Sequence, residues 1–183
     1  MADCLFRRAL LAITGGLLMG TGAGAAASGS AYDFTFPALE GGDLKLADFR
    51  GKALLVVNTA SFCGFTPQFR ALEALHDRYK AAGFAVIGVP SNDFNQEAAD
   101  ATKVREVCDT FDVEFPLAAI CRVRGAEAHP FFRWVAAQSS EPRWNFHKYL
   151  VGADGRLVRD FATRVAPDSA ELVAAVEAAL PRS

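Results

Sequence analysis

The chain of 183 residues has only four cysteines, Cys4, Cys63, Cys108 and Cys121, and no two of them form a Cys-x-x-Cys pair. So few cysteines exclude a disulfide-stapled miniprotein. With only three histidines, His76, His129 and His147, they also fail to give zinc-finger spacing, so neither a metal nor another cofactor is expected. Basic residues are not in excess: 19 Lys and Arg against 21 Asp and Glu leave a formal charge of -2. That balance provides no field to draw in nucleic acid or an anionic membrane. Internal repeats, low-complexity tracts and linkers are also missing between residues 32 and 180. Apolar residues are abundant, at 51% of a chain whose length suits one domain with a substantial core.

Residues 1–27 read as an export signal. Arg7 and Arg8 form a basic start, residues 9–19 an apolar stretch, and Ala25-Ala26-Ala27 a small-residue cleavage site. Gly15, Gly16 and Gly20 interrupt the apolar run, which falls short of the ~20 strongly apolar residues of a spanning helix. The expectation is removal near Ala27, a mature domain over 28–183, and a periplasmic or secreted location. Processing takes away Cys4 and leaves an odd number of cysteines, so at least one thiol stays free or is engaged in chemistry.

The mature region reads as α/β. Residues 32–49 alternate apolar and polar on either side of Glu40-Gly41-Gly42-Asp43, the pattern of a β-hairpin. Residues 53–59, with Leu54-Leu55-Val56-Val57 unbroken, predict a strand buried on both faces of a sheet. Thr66 is placed to cap a helix with Pro67 at its first position, and Phe69, Leu72, Leu75 and Tyr79 recur at helical spacing until Gly83. A second buried strand over 84–89 completes a parallel strand-helix-strand crossover. Weaker helical spacing covers 100–111, with a further helix over 129–138. Strands over 146–151 and 157–161 flank the Asp154-Gly155 turn, and a last helix starts at a capping box of Asp168 and Glu171. This order predicts a thioredoxin-like fold: a central mixed β-sheet flanked by helices, with an N-terminal β-hairpin.

Cys63 falls between the first buried strand and the helix at Pro67, where backbone N–H groups and the positive end of the helix dipole favour a reactive thiolate. Three residues further on, a thioredoxin-type disulfide exchanger carries its second cysteine; here the residue is Thr66, which cannot resolve a mixed disulfide. Cys63 therefore works without a close partner.

The stretch Asn58-Thr59-Ala60-Ser61-Phe62-Cys63-Gly64-Phe65-Thr66-Pro67-Gln68-Phe69 resembles the active-site signature of the glutathione peroxidase family in its cysteine form. Gly88-Val89-Pro90-Ser91-Asn92-Asp93-Phe94-Asn95-Gln96-Glu97 is similar to the family's second signature, and Trp144-Asn145-Phe146-His147-Lys148-Tyr149-Leu150-Val151 to its third. The resemblance implies a peroxidatic tetrad of Cys63, Gln96, Trp144 and Asn145. Gln and Asn amides and an indole N–H supply donors to a thiolate and a peroxide without adding a competing base. In the second signature Asp93 stands where the family usually has Gln, and the stretch before Gln96 is one residue short.

The resemblance to the thioredoxin-dependent branch further implies that Cys108, ahead of Phe115-Pro116, resolves the sulfenic acid formed on Cys63. The implied partners are a hydroperoxide and a thioredoxin-like or low-molecular-weight thiol reductant. Only residues 139–143 separate Gln138 from Trp144, as in monomeric relatives, so a monomer with an open active-site face is expected. Cys121 and the histidines match no catalytic position. Two other readings compete: a peroxide sensor or adaptor that signals through Cys63 oxidation, and a thiol-disulfide oxidoreductase, which Thr66 disfavours.

Overall fold

The computed structural model describes residues 29–182, so the expected export signal lies outside the described residues. Strands β1 (Thr35–Pro37) and β2 (Asp43–Lys45) pair antiparallel, with Thr35 opposite Lys45. This hairpin is shorter than its alternating pattern suggests. Its flanks wind into 3-10 turns at Ala31–Asp33 and Leu46–Phe49, which bury Tyr32 and Leu46 instead of extending the ladder.

Strand β3 (Ala53–Thr59) is buried along its whole length, as is β4 (Phe84–Pro90), which pairs parallel to it with Ala53 opposite Phe84. Helix α1 (Gln68–Tyr79) crosses between them and buries Phe69, Leu72, Leu75 and Tyr79, the positions its spacing predicts. A 3-10 turn over Lys80–Ala82 then ends at Gly83 in the left-handed region, φ 86°. Gly88 of β4 is required by close approach, because a Cβ there would meet Leu117 at 2.5 Å and Phe115 at 2.9 Å.

Helix α2 (Ala101–Asp109) is capped by Asp100, whose side chain accepts from the Lys103 N–H, and it buries Val104 and Cys108. Helix α3 (Pro130–Ala136) buries Phe131, Phe132, Trp134 and Val135. Strands β5 (Lys148–Val151) and β6 (Leu157–Phe161) pair antiparallel around a turn in which Gly155 takes φ 79°. Strand β5 starts two residues later than expected because Phe146 adopts φ 61°, which breaks the extended run. Helix α4 (Ala170–Ala179) is capped by Ser169, one residue after the expected Asp168; the Ser169 hydroxyl accepts from the Leu172 N–H.

The sheet order is β4-β3-β5-β6, with β5 antiparallel to β3. This is the expected thioredoxin-like α/β arrangement. Alternate strand residues separate two cores: Leu55, Val57, Val86 and Leu150 pack under α1 and α4, whereas Leu54, Val56, Ile87 and Tyr149 pack under α3. Each such side chain stabilises the fold by roughly 1.5–3 kcal/mol through burial. The functional consequence lies at one end of this sheet. The segments leaving β3 and β4 and the turn entering β5 meet there, which brings the three sequence signatures together.

Candidate active site

Cys63 sits in the turn that leaves β3, 7% exposed and with a free thiol. The Phe65 N–H donates to its Sγ at 3.4 Å, the kind of backbone donor expected at this strand-to-helix turn. Thr66 departs from its expected role. Instead of capping α1, its hydroxyl accepts from the Cys63 N–H at 3.1 Å and donates to the Ala60 carbonyl at 2.8 Å. The residue that replaces a second cysteine thus closes the Cys63 turn, and α1 begins at Gln68 through tight i to i+3 bonds from Gln68 and Phe69 back to Phe65 and Thr66.

Two successive backbone bonds tie the second signature to this turn. Ser61 N–H donates to Glu97 Oε1 at 3.0 Å and Phe62 N–H to the Gln96 carbonyl at 2.9 Å. Glu97 is buried, and burial raises its carboxyl above the usual range although Ser61 and Ala98 donate to it. Asn95 at φ 56° makes the short stretch before Gln96 fold back on itself, and Asn92 Oδ1 accepts from the Glu97 N–H at 3.2 Å. Asp93 faces elsewhere. Its carboxylate accepts from Val123 N–H at 2.6 Å and Arg124 N–H at 3.1 Å and pairs with Arg122 at 3.2 Å, so its charge is spent on the 122–124 segment.

The third signature closes the site. Asn145 is fully buried, and its Nδ2 donates to Gln96 Oε1 at 2.9 Å. With its carbonyl oxygen occupied, Gln96 turns its amide NH2, a donor, away from that bond. Asn145 Oδ1 is buried without a hydrogen-bond partner among the described residues. Trp144 is 41% exposed and packs its ring 5.1 Å from that of Phe94, while Phe62 beside Cys63 is 60% exposed. The backbone of this turn is held by Asn58 at the end of β3, which bonds the Trp144 carbonyl, the Phe146 N–H and the His147 N–H.

A profile of the glutathione peroxidase family matches residues 31–136. The chain is 39% identical over 147 residues to a glutathione peroxidase of Lactococcus lactis, covering 76% of this chain and 94% of the relative. It is also 39% identical over 166 residues to a hydroperoxy fatty acid reductase of Synechocystis, covering 84% and 97%. The chain belongs to the glutathione peroxidase family. The crystal structure of Trgpx in apo form superposes with a TM-score of 0.69 at 30% identity, covering 85% of this chain and 97% of that one. Like other members of the glutathione peroxidase family, the protein is a peroxidase, a thiol enzyme that reduces hydroperoxides.

Among the described residues of this glutathione peroxidase family member, the other cysteines are Cys108 and Cys121. Cys108 lies on the buried face of α2, 1% exposed, in the same core as Cys63, and burial pushes its thiol up to about 12. Cys121 is half-buried, and its thiol is pushed up to about 12 by burial and then by Asp93. His147 is buried and bonds Asp160 at 2.8 Å through Nε2; burial lowers its pKa despite that carboxylate. Asp160 also accepts from the Ser139 and Ser140 hydroxyls, which anchors the short 139–143 loop ahead of Trp144.

Sequence reasoning overlooked three fastenings of the site: Asn58, Thr163 and Lys148. Thr163 Oγ1 donates to the Asn145 carbonyl at 2.7 Å, and the fully buried Lys148 Nζ donates to the Phe146 carbonyl at 2.8 Å. A lysine directly preceding the apolar run Tyr149-Leu150-Val151 is the one available signal.

Proposed function

We propose that Cys63 is the peroxidatic residue, served by Gln96, Asn145 and Trp144, and that Cys108 resolves it. The observation that carries this reading is the free Cys63 thiol at the head of α1 with the Phe65 N–H on its sulfur. The Cys63 thiolate attacks the terminal oxygen of R–OOH, the O–O bond breaks, and the alkoxide leaves as ROH after taking a proton. Sulfur is oxidised to sulfenic acid. Amide N–H groups and the indole N–H stabilise the charge that builds on the departing oxygen, and each such donor is worth up to about 10²- to 10³-fold in rate.

The Cys108 thiol then condenses with the sulfenic acid, releasing water and forming a disulfide, and a thioredoxin-like dithiol reduces that bond by exchange. Cys108 is buried and held as a thiol, so α2 opens before this step. The substrate range proposed is hydrogen peroxide and organic or lipid hydroperoxides; exposed Phe62 and Trp144 beside the site suit an acyl chain. The leader read in residues 1–27 supports export to the periplasm or beyond, and the short 139–143 loop supports a monomer.

The test is peroxide consumption by purified protein with a dithiol reductant. Sustained turnover that Cys63→Ser abolishes supports the reading. Consumption by Cys63→Ser at the parental rate overturns it, and stoichiometric oxidation of the parent without turnover supports a sensor instead.

A further inference from the structure

Three successive backbone carbonyls of the turn entering β5 each accept a side-chain donor. Asn58 Nδ2 donates to the Trp144 carbonyl at 3.1 Å, Thr163 Oγ1 to that of Asn145 at 2.7 Å, and Lys148 Nζ to that of Phe146 at 2.8 Å. Lys148 is the costly member of this set. It is fully buried, and among the described residues no carboxylate forms an ion pair with it. Burial alone pulls its amine down to about 7. Methionine of similar length would fill the same space without a buried amine to desolvate.

The amine reaches back to Phe146 and makes a second, longer contact to the Thr163 carbonyl at 3.5 Å, which also accepts from Gln68 Nε2 at 2.9 Å. Phe146 is the strained point of the turn. It holds φ 61°, a region that non-glycine residues rarely occupy, while its ring packs edge-on against Phe69 of α1 at 5.3 Å. The conformation of Phe146 sets the direction in which Asn145, one residue earlier, presents its amide to Gln96.

We propose that Lys148 is a positioning residue for hydroperoxide reduction: by holding the Phe146 carbonyl it keeps Phe146 left-handed and the Asn145 amide aligned on Gln96. This rests on the reading that Asn145 and Gln96 serve the peroxide step. Charged or neutral, the amine keeps N–H donors, so the hold persists across neutral pH. Thiol attack on oxidised Cys63 does not involve the Asn145 amide, so Lys148 affects the oxidative half-reaction and leaves the reductive one alone.

The experiment follows the two half-reactions separately by stopped flow on the full chain. Oxidation by hydrogen peroxide and reduction of the oxidised protein by dithiothreitol are measured for the parent, Lys148→Met and Lys148→Gln, whose amide is one bond shorter. Misplacement of a reacting group by about 1 Å can cost 10²-fold, so oxidation is expected to slow about 10- to 100-fold. Reduction should stay within about twofold of the parent, because the hold acts on the peroxide step alone. If Lys148→Met fails to fold, Lys148→Gln carries the same comparison. Parental oxidation in a folded Lys148 variant overturns the proposal, as does equal slowing of both half-reactions, which is the mark of a purely structural lysine. An Asn145→Ala protein measured alongside separates the two levels: if it oxidises at the parental rate, the underlying reading of the site fails.

Discussion

The side-chain amide of Asn145 donates to Oε1 of Gln96 at 2.9 Å, joining residues 49 positions apart. The bond consumes an acceptor on Gln96 and a donor on Asn145, so each residue fixes the orientation of the other. Single replacements, Gln96→Ala or Asn145→Ala, are expected to slow Cys63 oxidation by about 10²-fold each. The double replacement should cost far less than the product of the two, because the members of one network are not additive. Stopped-flow oxidation rates of the four proteins check this.

Cys108→Ser separates attack from resolution. Cys63 of this protein is expected to react with peroxide at the parental rate, then persist as sulfenic acid, visible by mass or by a dimedone adduct. Recycling by thioredoxin-type dithiols should be lost, while small monothiols still reduce the protein. Unchanged thioredoxin-dependent turnover of Cys108→Ser would show that Cys108 has no part in the cycle.

Opening of α2 should be limited in part by Arg105. Its guanidinium pairs with Glu40 of the hairpin turn, donates to the Val113 carbonyl at 3.3 Å and lies 3.7 Å from Asp109. Half-exposed pairs of this kind contribute about 0.2–1 kcal/mol. Arg105→Met is therefore expected to speed disulfide formation up to about fivefold without altering peroxide attack. Quench-flow alkylation followed by mass analysis reads both steps.

Stability should rise with pH just above neutrality. The Lys148 amine titrates at about 7 in the folded protein and at ~10.4 when unfolded, so between those values the unfolded chain binds more protons. Folding is then favoured as pH increases, by at most about 5 kcal/mol over the full window. Above about pH 8.5 the buried thiols of Cys108 and Cys121, pushed up to about 12, act in the opposite sense. The chemical-denaturation midpoint should thus climb from pH 6.5 to about 8.5 and then fall, because two thiols outweigh one amine. Lys148→Met should flatten the climb.

Much of this architecture is legible in the sequence because burial leaves a periodic mark. The unbroken apolar runs of β3 and β4 and the spacing of Phe69, Leu72, Leu75 and Tyr79 report which faces are covered. Partners are less visible. Thr66 and Asp168 look like helix caps by type and spacing, yet the Thr66 hydroxyl is drawn to the Cys63 N–H and Ser169 caps α4. The proposed tetrad positions stand in the three signatures, whereas Thr163 carries no local signal: its bond to the Asn145 carbonyl comes from the pairing of β5 with β6 that brings it there. Lys148 reads as part of an apolar strand, and its bonds to the Phe146 and Thr163 carbonyls, invisible in the sequence, explain a lysine there.

The measurement that bears most directly on the central claim is peptide mass analysis after one equivalent of hydroperoxide, with thiols trapped by alkylation. The account predicts that Cys63 is oxidised first and recovered in a disulfide with Cys108, while Cys121 is alkylated as a free thiol. Peroxide consumed with Cys63 recovered fully reduced would contradict it.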